Sequence, residues 1–462
     1  MKKWLLPIVV MCCLSLLVLP QAMAGSAKYD LSKTGDMSDF DPNNPITPTG
    51  DTIKIALVAS FSGPAAIVGQ IYFASVQWAA HDINKQGGIM VDGKKKLVQI
   101  IKADHQSKVA LCKKVTERMI LQEKVHALWG TNGSHLMKVI NQVAKKYKVI
   151  AMNSSSLSDE LYDAKNFTRY SFMPSFSTEQ IGRAFAYHYS QRKKEKKFYI
   201  LCQDYLFGHS TAAGFKKGLK EYYPEAEIVG EDYHKLFLTD FAPYMTKIKA
   251  SGAEVIYTGD WVPDAANLLK QARSMGIKLP IANIFVNEPN FLHAVGVDGT
   301  DAMLNISQYS TGGVAFKTPA DIKYYKRWNS LWKAGKWAAP YNTRLYEHGT
   351  GNIGAYRDHT YWLLSVIARA GSTDPEKIIK VWEGDTYTTP NGRVLTMRAC
   401  DHKAVANLAI DEYVRPEFQK ESYNIPPYYW YKGTSMTGPI HVIPAKYVLP
   451  KADPKLCKSP MP

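Results

Sequence analysis

Five short stretches hold the side chains that could do chemistry. Gly130-Thr131-Asn132-Gly133-Ser134 follows the apolar run Val125–Trp129, and Asn153-Ser154-Ser155-Ser156 closes the apolar run that starts at Val149. Gln203-Asp204-Tyr205, Asp260-Trp261 and Asn287-Glu288 follow three further apolar runs. Small hydroxyl and amide residues among glycines, placed where a helix begins, suit an anion. The first N–H groups of a helix are unpaired and partly positive, and glycine lets a ligand reach the backbone. A carboxylate fits such a seat as well as a phosphate does. Helix capping uses the same residue types, but two adjacent strand ends with one composition favour a ligand. Tyr205 and Trp261 offer apolar walls and cation–π faces, and an acid such as Glu288 could hold an ammonium group. Each has a plainer role open to it: packing for the rings, a solvated loop for the acid.

Catalytic signatures are missing. The chain has no GxSxG elbow, no HExxH pair and no Walker loop, and nothing sets the spacing of Asp204, Asp260 and Glu288 as an acid–base pair. No cysteine pair has metal-ligand spacing, so neither a metal nor another cofactor is expected.

The elements that must position these residues alternate. Strand 53–61 leads to a helix over 72–85, strand 95–105 to a helix over 107–123, strand 125–129 to a helix ending near Tyr147, and strand 149–153 follows. The order then repeats: strand 196–204, helix 208–223, strand from Glu227, helix 239–251, strand 254–260, helix 264–276, strand 280–286. Near-continuous apolar strands separated by helices predict parallel sheets covered on both faces, here as two successive α/β units. In such sheets ligands bind beyond the carboxyl ends of the strands, where all five stretches lie. A Trp-, Tyr- and Gly-rich stretch spans 319–350. A long helix over 355–370 and a second one capped by Thr373 or Asp374 come next, and a strand-like, Pro-rich tail starts after residue 400.

The N-terminus reads as a secretory signal peptide. Lys2 and Lys3 precede an apolar stretch, Trp4–Leu19, and Ala22-Met23-Ala24 is a small-x-small cleavage site. The stretch is shorter than the roughly 20 residues of a membrane span. Cys12 and Cys13 sit too early for a lipoprotein attachment site. Cleavage after Ala24 leaves Cys112, Cys202, Cys400 and Cys457, and export permits a disulfide. Cys400 with Cys457 would staple the tail, although spacing alone does not settle the pairing. The net charge of +16 is spread along the chain, with one short run at Arg192–Lys197. That distribution reads as solvated faces, and no nucleic-acid module is present.

SFSGPAAIVGQ (60–70), HDINKQGGIMVDGKK (81–95), KVHALWGTNGS (124–134) and YKVIAMNSSS (147–156) together resemble the leucine/isoleucine/valine-binding class of periplasmic solute-binding proteins of ABC importers. DYLFGHSTAAGFKKGLKE (204–221), DFAPYMTKIKASGAEVIYTG (240–259) and DAANLLKQARSMG (264–276) extend the resemblance, which is clear over 51–310, weaker over 355–385 and faint after 400. It implies a type I periplasmic binding protein: two Rossmann-like lobes with parallel sheets, joined by a three-crossing hinge that closes on a solute. The implied division is a signal peptide (1–24), an extended arm (25–50), lobe 1 (51–172), lobe 2 (173–305), a return to lobe 1 (306–400, with an insertion over 319–350), then lobe 2 and the tail (401–462). It also implies ligand-binding roles for Ser134, Asn153 and Ser155 in lobe 1 and for Tyr205, Trp261 and Glu288 in lobe 2, with Asn287 or Asp260 as substitutes for Glu288. Asn153 stands where the class often has a small residue, and Trp261 is bulkier than usual. The expected protein is a periplasmic monomer and not an enzyme. It captures a small carboxylate-bearing solute, an amino acid or an aromatic relative, and delivers it to an inner-membrane ABC permease. A ligand-sensing receptor subunit of the same fold shares every motif, and binders of amides, urea or aromatic acids belong to the same class.

Overall fold

The computed structural model describes residues 39–261, 263–285, 289–307, 351–389, 392–418 and 436–457, together with Lys33 and Ala338. The signal sequence, Asn287, Glu288 and, apart from Ala338, the 319–350 insertion lie outside the described residues.

Lobe 1 is built on five strands: β1 (Ile53–Ala59), β4 (Val98–Asp104), β5 (Ala127–Gly130), β6 (Ile150–Asn153) and β7 (Ser171–Phe172). They lie in the order β4-β1-β5-β6-β7, all parallel. β2 (Ile89–Val91) and β3 (Lys94–Lys96) form a separate hairpin. The helices α1 (Ala66–Lys85), α2 (Val109–Leu121) and α3 (Ser134–Tyr147) cover the sheet. Lobe 2 repeats the plan. Strands β8 (Lys197–Gln203), β9 (Glu227–His234), β10 (Val255–Tyr257), β11 (Ile281–Asn283) and β12 (Met303–Ser307) alternate with α5 (Leu206–Tyr222), α6 (Ala242–Ser251), α7 (Asp264–Ser274) and α8 (Pro289–Thr300). Their order, β12-β11-β10-β8-β9, is that of lobe 1 read from the other edge.

The expected pair of α/β units is therefore what forms, with one difference. Two late strands, β16 (Leu408–Val414) and β17 (Met436–Ile443), extend the lobe 2 sheet beyond β12, and both pair antiparallel. Sequence periodicity marks strands there but carries no direction. The direction follows from the chain's return through lobe 1, where α9 (Gly351–Ala370), α10 (Pro375–Trp382) and a small sheet of β13 (Thr386–Thr388), β14 (Val394–Met397) and β15 (Ala404–Val405) pack into the first core. Asp374, not Thr373, caps α10, its side chain accepting the Lys377 amide.

The chain passes from β7 of lobe 1 into α4 (Thr178–Arg192) of lobe 2, from β12 back to α9, and from β15 forward to β16. The first and third passages run side by side, joined by Met173 N–H to His402 O and Ala404 N–H to Met173 O, both 2.8 Å. Lys403 Nζ beside them donates to Asp159 at 3.1 Å, and Asp159 also accepts from Thr178 Oγ1 and the Glu179 amide at the start of α4. Burial works against the Asp159 charge, but Lys403 and these hydrogen bonds hold its carboxyl below the usual range.

The tail returns as well. Tyr447 stacks on Tyr187 of α4, then Pro450 O accepts from Arg398, Asp453 accepts the Ala164 amide, and Cys457 is bonded to Cys400. Cys112 and Cys202 are buried free thiols. Among the described residues no helix is long and apolar enough to cross a membrane.

Candidate functional site

Both lobes have the strand order 2-1-3-4-5 when their strands are counted in sequence, so each has a topological switch point beside its first strand. In lobe 1 it lies between β1 and β5, in lobe 2 between β8 and β10. The two switch points meet at one cleft, which encloses about 540 Å³ including space open to solvent. Lobe 1 contributes Val68, Ile71 and Tyr72 from α1, Asn132 and Gly133 after β5, Ser155 after β6, and Tyr356 of α9. Lobe 2 contributes Tyr205 and Phe207 after β8, Trp261 after β10 and Phe285 after β11.

Close backbone approach shapes both sides. A side chain at Gly69 would meet the Ser60 carbonyl at 1.9 Å, and one at Gly208 would meet the Gln203 carbonyl at 1.8 Å. Glycine at these two places lets α1 and α5 begin directly against the ends of β1 and β8.

The lobe 1 loops are knitted together. Asn132 Oδ1 accepts the Ser60 amide and its Nδ2 donates to Ser60 Oγ, both at 3.1 Å. His105 Nε2 meets Thr131 Oγ1 at 2.6 Å, and Ser156 Oγ donates to the Thr131 carbonyl at 2.6 Å. Burial keeps His105 neutral, its pKa pushed down to about 4.

α3 starts at Ser134, with Gly133 just before it at φ 91°, a conformation that favours glycine. The first bonds along the helix run from the Leu136 and Met137 amides to Gly133 O, which leaves the Ser134 and His135 amides at the open end. Ser134 is 1% exposed, and its hydroxyl has no hydrogen-bond partner. The buried Nδ1 of His135 has none either.

The sequence-derived residues divide as follows. Ser155, Tyr205 and Trp261 line the cleft, and Ser134 lies directly behind Gly133. Ser155 Oγ bonds the Tyr72 hydroxyl, and Trp261 Nε1 donates to the Tyr205 hydroxyl at 3.0 Å. Asn153 points elsewhere: its amide donates to Ser156 O at 2.6 Å and accepts Ser156 N–H at 2.9 Å, shaping the turn that presents Ser155. Asp260 lies buried beneath Trp261, held by His234 Nε2 at 2.8 Å. Burial alone would lower the His234 pKa, yet Asp260 carries it above its ordinary value. Nearby Asp264 is pushed up to about 6 by burial, against hydrogen bonds from Gln203 and the Phe237 amide.

Several lining residues escaped the sequence reading. Tyr72, Phe207, Phe285 and Tyr356 look like ordinary core aromatics in sequence. His135 follows Ser134 directly, and its ring stands edge-on to Tyr205 of the opposite lobe with centroids 5.5 Å apart. Six of the eleven lining residues are aromatic, and none of the eleven is charged. The arrangement offers an apolar slot for a flat or bulky body, with hydroxyls, amides and a helix N-terminus at one end.

A family profile described as "periplasmic binding protein" matches residues 52–415. "Leu/Ile/Val-binding protein homolog 4" of Brucella abortus (strain 2308) is 28% identical over 262 residues, which span 54% of this chain and 60% of that protein. The "leucine-, isoleucine-, valine-, threonine-, and alanine-binding protein" of Pseudomonas aeruginosa is 23% identical over 435 residues, 92% of this chain and 97% of its own length. Among solved structures, an ABC transporter solute-binding protein from R. palustris in complex with 4-hydroxybenzoate superposes with a TM-score of 0.69 at 21% identity, covering 88% of this chain and all (100%) of the other.

Proposed function

Since the chain belongs to the periplasmic binding protein family, we propose that it is the solute-capturing subunit of an ABC importer, working in the periplasm with an inner-membrane permease. Its solute is a small carboxylate with an aromatic body. One observation carries this reading: among the described residues the cleft at the paired switch points is lined by six aromatic residues and no charged one, and it abuts a helix N-terminus whose serine hydroxyl has no protein hydrogen-bond partner. A carboxylate at the start of α3 supplies the missing partner for Ser134 and meets the open amides and the positive end of the helix dipole. The solute's body then lies among Tyr72, Tyr205, Phe207 and Trp261.

The lining also bears on the solute class. An α-amino acid brings an ammonium group, and a buried ammonium needs an acid. Among the described residues no carboxylate lines the cleft, and Asp260 is engaged by His234. Glu288, the acid expected to meet an ammonium, lies outside the described residues, and the aromatic walls by themselves favour a flat ring over a branched aliphatic side chain. Relatives of both kinds exist, the Pseudomonas protein named for aliphatic amino acids and the R. palustris protein solved with 4-hydroxybenzoate.

The test is thermal unfolding of the stripped protein against matched solutes: benzoate and hydroxybenzoates, phenylalanine and tyrosine, leucine and valine, benzamide and urea. A ligand at 100 times its Kd stabilises by about 2.7 kcal/mol. Stabilisation by the aromatic acids with little from the amino acids supports the reading. A leucine or valine response without one from aromatic acids would overturn the solute assignment.

A further inference from the structure

We propose that His188, Glu412 and His441 form a binding site for a divalent transition-metal ion, zinc foremost, in lobe 2 outside the solute cleft. The three residues come from three elements: His188 from α4, Glu412 from β16 and His441 from β17. Each offers one ligand atom, and these atoms all lie within 4.8 Å of one another.

The placement follows from the sheet. β16 and β17 are antiparallel with Ile410 opposite His441, so Glu412, two residues on from Ile410, shares a face with His441. The register shifts between Asp411 and Tyr413, where Glu412 stands opposite two β17 residues, Gly438 and Pro439, a bulge of the kind that re-aims side chains. The same face packs against α4, since Ile410, Ile181 and Phe185 share one core. His188 therefore looks down on the Glu412–His441 pair.

Hydrogen bonding within the cluster leaves one group over. His441 Nε2 meets Glu412 Oε1 at 2.8 Å, but His188 Nε2 stands 4.0 Å from that oxygen and bonds nothing, although its side chain is only 3% exposed. The His188 and His441 ring centroids are 4.7 Å apart. Tetrahedral zinc with ligands at about 2.0–2.1 Å needs donor atoms roughly 3.4 Å apart. The His441–Glu412 separation must open by about 0.6 Å, the His188–Glu412 separation close by about as much, and the two histidine nitrogens, at most 4.8 Å apart, close by up to about 1.4 Å, all within the reach of side-chain rotation. Two imidazoles and one carboxylate select borderline ions such as zinc, cobalt or nickel over calcium and magnesium, and three protein ligands leave a position for water.

Arg192 is the built-in competitor. Its guanidinium also bonds Glu412 Oε1, with Glu195 3.5 Å away as an alternative partner. A metal ion entering the site takes over the carboxylate and sends Arg192 toward Glu195. Bound there, it cross-links α4 to the two C-terminal antiparallel strands.

The experiment uses the untagged full-length mature protein, stripped with a chelator. Zinc is titrated against a chromophoric chelator, and cobalt is added separately to read the visible bands of a tetrahedral site. One equivalent of zinc is expected. His441→Ala and Glu412→Gln should each weaken binding at least about tenfold, as loss of even a supporting residue does at metal sites. Arg192→Gln should tighten it by removing a positive charge. Metal-free melting of His441→Ala, a partly exposed position, separates loss of a ligand from loss of fold. Absence of stoichiometric binding, or binding that His441→Ala and Glu412→Gln leave unchanged, would overturn the site.

Discussion

Replacing Ser134 by alanine separates a ligand-binding serine from a structural one, because the two roles predict opposite signs for stability. The hydroxyl is buried and has no hydrogen-bond partner within the protein. An unsatisfied buried hydroxyl costs about 1–3 kcal/mol. Ser134→Ala removes that cost and leaves the Gly133 turn and the α3 amides in place, so the free protein should melt at the same temperature or a few degrees higher. In the complex the same hydroxyl donates to a charged oxygen, a bond that contributes about 1.5–3 kcal/mol. Binding should therefore weaken by about tenfold to 150-fold. Calorimetric titration of the best solute into wild type and variant reads the second effect, and thermal unfolding without solute reads the first. Unchanged affinity with a lowered melting temperature would refute the reasoning, since the hydroxyl would then be serving the fold.

Further outcomes follow from neighbouring contacts. Trp261→Leu removes an aromatic wall and the donor to Tyr205; it should cost aromatic acids about 1–2 kcal/mol of affinity and aliphatic acids less, and equal losses by titration would place Trp261 outside the contact. Asp264, raised to about 6, contributes stability that is full below its ordinary value near 4 and lost as pH rises through about 6. The loss is on the order of 3 kcal/mol. Asp264→Asn should flatten the wild-type decline between pH 4 and 7 in denaturant titrations, and an unchanged slope would count against it. Cys400 and Cys457 close a loop with a sequence separation of 57, for which chain entropy gives up to about 4 kcal/mol. Wild type should lose stability when unfolded in a thiol reductant, and the double Cys→Ser variant should start lower and ignore the reductant. Lys403→Met strips Asp159 and Asp401 of a shared cation at the lobe junction, so stability should fall by about 3–5 kcal/mol; a loss below 1 kcal/mol would show that hydrogen bonds alone hold Asp159.

Much of the fold was legible because it rests on local pattern. Apolar strands such as Ile53–Ala59 and Lys197–Gln203 are buried almost throughout, and their alternation with helices identifies the class. α1 begins at Ala66, earlier than the expected start at Tyr72, its first turn closed by the Ala66 amide on Gly63 O and the Val68 amide on Ala65 O. Apolar periodicity marks no element over 178–192, where α4 runs. The local signal for it is the capping box of Ser177 with Gln180.

The sequence by itself determined the alternating α/β plan, the polar strand ends and the stretches that resemble a known family, because strand burial, helix capping and glycine turns are decided among residues close in the chain. Only the tertiary structure decided what those ends face. Ser155 and Tyr205 come together because two sheets of one strand order meet at their switch points. Asn153 and Asp260, chemically as suitable, are turned away by Ser156 and His234. Tyr356 reaches the cleft from a helix nearly 300 positions from α1, and β16 runs antiparallel because the chain had first returned through lobe 1. Direction, partnership and which of several equivalent polar groups is left unpaired depend on contacts between distant segments, which residue spacing along the chain does not encode.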